Sequence, residues 1–356
     1  MKKVIFVLLI AITLPLHAAA RLYVKPGAGS SLWDGKSPLY NDIESACSAA
    51  SNDDSIWVAK GVYADGGNYI NYRRMLYGGF EGTETKLSQR GDPESYRLKT
   101  IIDGENTAQG FRCMGRNVVD GFYFYRCRSS EGAAIQANEA TWYTIKNCVF
   151  DSCVCPDWTT VGWGSAILFD VSASAGPDSV VNCVMFDCYS YCGCVEMRGA
   201  CGENPNNTYL YVINCTLYNI HGFAIEWSKV ESDEGEEDWL EPPGNNPYVY
   251  NCVVSKVDDR GEDCGMTGWT QFGDVKNCVF PKSHSEATID ASNFCTGYAN
   301  NASCVDSIGS ICFSDSANYN LRPRGNAIYF RSGKTGTFAT YIGAFKPVIR
   351  RIILTE

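Results

Sequence analysis

The chain has 356 residues, 45% of them hydrophobic and 20% charged, enough to bury a sizeable core within one to three domains. Forty Asp and Glu oppose 30 Lys and Arg for a formal net charge of −10, and a surface of that sign repels phosphate backbones, which argues against a nucleic-acid partner. Abundant aromatic and β-branched residues exclude a disordered chain, while 34 Gly and 21 Tyr favour strands and tight turns.

Residues 1–20 read as a signal peptide: Lys2 and Lys3 open it, Val4 to Leu16 form an apolar run, and Ala18, Ala19 and Ala20 offer a small-residue cleavage site. The run falls short of the roughly 20 residues that a membrane span needs. No later stretch is longer, so the mature chain is expected to have no stable membrane span and to be secreted or held at the cell surface. Residues 21–345 read as one domain with a cap over about 21–60, regular coils over about 100–285 and an irregular closing segment over about 286–345; residues 346–356 form a tail. Within the cap, Ile43, Ala46, Cys47 and Ala50 have helical spacing, which predicts a short helix from Asn41 to Ala50 over the open end of the domain.

Beyond the cap a phrase recurs: an apolar residue, one variable residue, Asn, Cys, one more, then an apolar residue. It runs Ile145-Lys-Asn147-Cys148-Val-Phe150, then returns around Asn182-Cys183, Asn214-Cys215, Asn251-Cys252 and Asn277-Cys278. The asparagines are spaced by 35, 32, 37 and 26 residues, and Val119-Asp-Gly121-Phe122 is a degenerate earlier copy. A second phrase, Gly-x-Ala-Ile, alternates with the first at Gly132, Gly164 and Gly222, with Cys192-Gly-Cys194-Val195 as a weaker version. Strands of three to five residues recurring at one phase cannot bury an apolar face alone and must stack, the signature of a solenoid. Asn tolerates a left-handed backbone, and its amide can bond the same residue one coil away, so the column predicts a ladder of side-chain hydrogen bonds at one bend per coil.

On these motifs the chain resembles the right-handed parallel β-helix, or pectin-lyase-like, superfamily. The resemblance implies an all-β solenoid with a short N-terminal capping helix. Tyr23-Val24-Lys25-Pro26-Gly27, Ser31-Leu32-Trp33, Ile56 to Tyr63 and Tyr77 to Glu84 look like the opening of secreted β-helix proteins. Asn318 to Leu321 and Tyr341 to Phe345 are similar to the closing segment of choice-of-anchor Q proteins, although Gly325 to Arg331 departs from the usual Ser-Pro-Ala-Ile-Asp-Ala-Gly.

All 18 Cys lie beyond residue 20, where an exported chain invites a disulfide reading. Position argues otherwise for Cys148, Cys183, Cys215, Cys252 and Cys278. In-register coils keep their Cβ atoms about 4.8 Å apart, wider than a disulfide takes, and five members cannot all pair within one column. A ladder of buried thiols is expected, with a second column at Cys127, Cys153 and Cys188. Cysteines in turns or near the end (Cys155, Cys192, Cys194, Cys201, Cys264, Cys295, Cys304, Cys312) could include real bridges. Cys153-x-Cys155 and Cys192-x-Cys194 lack the usual zinc spacing, and no metal ligand is assigned.

No phosphate loop, zinc-protease helix or nucleophile elbow is present. Alignment on Gly-x-Ala-Ile puts Gln136, Leu168, Glu196 and Glu226 in one column, with the two carboxylates on adjacent coils about 5 Å apart. That distance is close to the spacing of a retaining glycosidase pair, and two such acids shift one pKa or share a cation. Glu196, Glu226 and His221 are thus candidate catalytic residues, with Arg198, Trp227 and Lys229 as candidate substrate-binding residues; the alternative is a pair of solvated surface acids. Trp158, Trp163, Trp227, Trp239 and Trp269 either stack on sugars or pack under insertions. The acidic run Glu231 to Asp238 is a solvated loop or a calcium site, so no cofactor is required but Ca2+ is possible. The expected function is a secreted or cell-surface module presenting an elongated surface to a polysaccharide, a cell-surface glycan or a surface protein. The alternative is a polysaccharide lyase or glycoside hydrolase acting on an acidic polysaccharide.

Overall fold

The computed structural model describes residues 19–64, 66–139, 142–156, 163–171, 176–199, 209–229, 248–250, 252–258, 266–268, 274–276, 279–280, 294–295, 313–315 and 320–323; the side chains of residues 171, 191, 199, 227–229 and 255 onward lie outside that description. The expected signal peptide up to residue 18, the acidic run, the tail, Asn251, Asn277 and Cys278 all fall outside it.

The described strands wind as a parallel β-helix with three faces. The first face is a 10-stranded sheet in which Ser55–Ala59, Met75–Phe80, Val118–Asp120, Thr144–Lys146, Pro177–Val181, Tyr209–Ile213, Tyr248–Tyr250 and Asp274–Lys276 follow one another, each parallel to the last. The other two faces form one 15-stranded sheet folded on itself. Thr100–Asp103, Tyr123–Tyr125, Val149–Asp151 and Val184–Phe186 belong to the second face, and Phe111–Met114, Ile135–Asn138 and Ile167–Val171 to the third. Tyr189–Gly199 and Thr216–Lys229 join them. These strands, of 11 and 14 residues, exceed the expected three to five because they keep their pairing through the bend between the second and third faces.

Inward residues of every face meet in one apolar core: Ile145, Val180 and Val212 from the first, Phe124, Phe150 and Met185 from the second, Ile135, Ile167 and Ile225 from the third. The capping helix is observed as Ile43–Ala49, started by the Asp42 carboxylate accepting from the Ser45 amide at 2.6 Å and anchored by Ile43, Ala46 and Cys47. Outside the first face, Tyr23, Trp33, Trp57 and Phe80 form a separate aromatic cluster, with Trp57 and Phe80 stacked at 4.4 Å.

Asn147, Asn182 and Asn214 occupy the corner between the first and second faces at φ of 53°, 55° and 52°. Asn182 Nδ2 donates to Asn147 Oδ1 at 2.7 Å, and Asn147 Nδ2 to Asp120 Oδ1 at 2.9 Å. Asp120 closes this ladder in a buried ion pair with Arg90 at 2.9 Å. The ladder is shorter than expected, because Asn182 Oδ1 is buried with no hydrogen-bond partner among the described residues. A second left-handed corner, unforeseen, lies between the second and third faces at Arg126, Ser152, Asp187 and Asn219 (φ 49–54°).

Each column of thiols directly follows a column of left-handed residues: Asn147-Cys148 and Asn182-Cys183 at one corner, Ser152-Cys153 and Asp187-Cys188 at the other. The first inward residue after a tight bend has little room, and a small apolar thiol fills it. All 12 cysteines whose side chains are described are buried thiols, as expected of both columns, and these include Cys155, Cys192 and Cys194. Burial drives the Cys148, Cys183 and Cys215 thiols well above the usual range, and each donates to a backbone carbonyl of the preceding coil, Cys148 to Val119, Cys183 to Ile145 and Cys215 to Val180. No helix among the described residues is long and apolar enough to cross a membrane.

The closing region departs from the coils. Phe294–Cys295 still pairs in parallel with Val279–Phe280, whereas Phe313–Asp315 and Asn320–Pro323 form an antiparallel pair.

Candidate functional site

The register places Gln136 opposite Leu168, Leu168 opposite Glu196, and Glu196 opposite Glu226, which is the column expected from Gly-x-Ala-Ile. Val195 and Met197 turn into the core, so Glu196 stands on the outer side of the third face, and Glu226 stands likewise beside Ile225.

Outer does not mean exposed here. Glu196 is 0% and Glu226 7% accessible, which overturns the alternative of solvated surface acids. Two features of the backbone cover them. The preceding coil brings the Gly164 amide to Glu196 Oε2, donating at 2.7 Å. In addition, the strand Tyr189–Gly199 bulges: Tyr189 pairs with His221 and Gly193 with Phe223, so four residues advance against two. Ser190 Oγ ties the bulge by donating to the Cys192 carbonyl at 2.7 Å. Gly222 permits it, since a Cβ there would lie 2.3 Å from Ser190 O, and Gly193 rests directly on Glu226. A bulge re-aims side chains, and this one brings the Cys192 thiol to the two carboxylates. The donor atoms of Cys192, Glu196 and Glu226 all lie within 4.8 Å of one another.

The other candidates sit elsewhere. Arg198, two residues along from Glu196, pairs with Asp170 at 2.7 Å and Glu131 at 3.4 Å, and its guanidinium lies 5.3 Å from the Trp163 ring centroid. Burial opposes the charge on Arg198, but the two carboxylates outweigh it and raise its pKa. Glu131 in turn accepts from Gln136 Nε2 at 2.7 Å. The arginine thus closes a polar network with Asp170, Glu131 and Gln136 on the outer side of the third face. His221 precedes Gly222 at the bend, its ring 6.1 Å from that of Tyr189, and it is not among the donors that converge on Glu226. Trp227 pairs in register with Met197, in a column that runs back through Phe169, Ala137, Cys113 and Ile70, all core residues, and Lys229 pairs with Gly199. The Trp227 and Lys229 side chains lie outside the described residues.

A further surface was not foreseen. Tyr209 and Tyr211 alternate with buried Leu210 and Val212 on the first face, and Tyr248 and Tyr250 flank buried Val249 one coil on. Tyr211 pairs in register with Tyr248, and their rings stack at 5.0 Å with planes 17° apart. Tyr209 lies 5.9 Å from Tyr248, and Tyr250 6.3 Å from it. All four are half-buried, a tyrosine patch on the outer side of the sheet. The signal was present in the two Tyr-x-Tyr stretches that precede Asn214 and Asn251, where period-two alternation puts tyrosine outward.

No protein-family model matches the chain, and no curated protein does. The solved structure of pectate lyase Pel9A is similar to it at 13% identity with a TM-score of 0.35, over 93% of this chain and 97% of that one. A likeness that distant transfers neither substrate nor catalytic residue, and the parallel β-helix stands on the strand pairing alone.

Proposed function

We propose that the chain is an exported β-helix module that binds neutral glycans along the outer side of its first face, without turning them over. The observation that carries this reading is the patch of Tyr209, Tyr211, Tyr248 and Tyr250 on two successive coils. Tyrosine offers a large, rigid, amphipathic contact at low conformational cost, and its hydroxyl both donates and accepts. A sugar presents the matching mixture of C–H faces and hydroxyls. The net charge of −10 favours neutral glycans over polyuronates. Catalysis by Glu196 and Glu226 would require a polymer to reach both carboxylates, and their burial speaks against it.

Affinity electrophoresis in gels containing neutral or uronate polysaccharides tests the reading. The full chain should be retarded by a neutral polymer, and Tyr211→Ala or Tyr248→Ala should each weaken binding about 3- to 10-fold, the worth of one aromatic contact. Retention by no glycan would refute it. So would release of reducing or unsaturated ends that disappears in Glu226→Gln, which would restore the catalytic reading.

A further inference from the structure

Two carboxylates and a thiol from successive coils converge beneath the bulge at Ser190–Gly193, on a face different from the tyrosine patch. Cys192, Glu196 and Glu226 are all buried, with donor atoms within 4.8 Å of one another. The bulge adds to the two carboxylates a third donor of different chemistry, within the same 4.8 Å. A divalent cation answers to all three.

We propose that Cys192 Sγ and the carboxylates of Glu196 and Glu226 form a binding site for a divalent cation of the zinc class. The thiolate selects the metal, because calcium and magnesium take oxygen ligands whereas zinc accepts sulfur and carboxylate together. Zinc–sulfur bonds of about 2.3 Å and zinc–oxygen bonds of about 2.1 Å put tetrahedral donors about 3.5 Å apart, so the three groups need close in by little more than about 1 Å. On binding, the thiol gives up its proton to solvent. Three protein donors leave a fourth position for water or for the second oxygen of a carboxylate. The ion pins Tyr189–Gly199 to Thr216–Lys229 where their register shifts, so its role is to hold two coils together.

The test uses the full chain stripped with a chelator and titrated with Zn2+ and Co2+. One equivalent should bind, the cobalt form should show a thiolate-to-metal charge-transfer band, Cys192→Ser should abolish that band, and Glu226→Gln should weaken binding at least about 10-fold. X-ray absorption on the wild-type zinc form should find one sulfur among otherwise light ligands, a readout that survives if either variant misfolds. Absence of stoichiometric uptake, two or more sulfurs around the metal, or wild-type affinity in a folded Cys192→Ser or Glu226→Gln would overturn the proposal.

Discussion

Asp178 shows how burial alone can set a carboxylate apart. Its Oδ1 accepts from the Tyr143 amide at 2.8 Å, while Oδ2 is buried with no hydrogen-bond partner among the described residues. Desolvation pushes its pKa up to about 7, with the Tyr143 amide pulling the other way. Below about pH 4 the carboxyl is protonated in both folded and unfolded chains; above that it ionises first in the unfolded state, so stability falls until about pH 7 and then levels. The unfolding free energy from urea titrations should drop across that window by an amount on the order of a few kcal/mol in wild type, and Asp178→Asn should flatten the slope. An unchanged slope in the variant would assign the loss to other groups. Glu196 and Glu226 teach a related lesson: their place in a column followed from spacing, whereas their burial depended on a bulge that no local pattern announced.

The corner strands and their asparagines bear the cost of turning. Asn182 holds a left-handed backbone, donates to Asn147, and accepts from Arg97 Nη1 at its carbonyl at 3.1 Å. Asn182→Ala should destabilise the fold by about 2 kcal/mol, from the left-handed conformation and one lost side-chain hydrogen bond. Asn182→Gly keeps the backbone conformation accessible and should cost less, a ranking that thermal melts would check; equal losses would mean that the conformation carries none of the effect. The Asn column was legible because the left-handed corner restricts residue type. The second corner was not, because Arg126, Ser152, Asp187 and Asn219 share a conformation without sharing a side chain. The long strands were missed for a related reason: pairing continues through a bend when the neighbouring coil supplies partners, and that support comes from residues about 30 positions away.

For the molecule as a whole, stacked coils bury their thiols in files where an exported chain of 18 cysteines would suggest bridges. Cys148, Cys183, Cys215, Cys127, Cys153 and Cys188 should therefore resist alkylation in the native chain and react on unfolding. Mass spectrometry of peptides labelled before and after denaturation checks this; rapid native labelling of either file would contradict the packing. The resemblance to β-helix proteins pointed to the right architecture, while the antiparallel closing pair and the aromatic cluster over the first face were not anticipated.

Periodicity alone was enough to establish the winding, the corner asparagines, the thiol files and the alignment of Glu196 with Glu226, because each depends on a pattern repeated once per coil. Folding in three dimensions settled what happens between repeats: which outer residues are covered, how the bulge brings Cys192 to the carboxylates, where Arg198 spends its charge, and how two tyrosine pairs merge into one patch. Those features arise from single insertions and from contacts between coils, and a one-dimensional repeat carries no information about either.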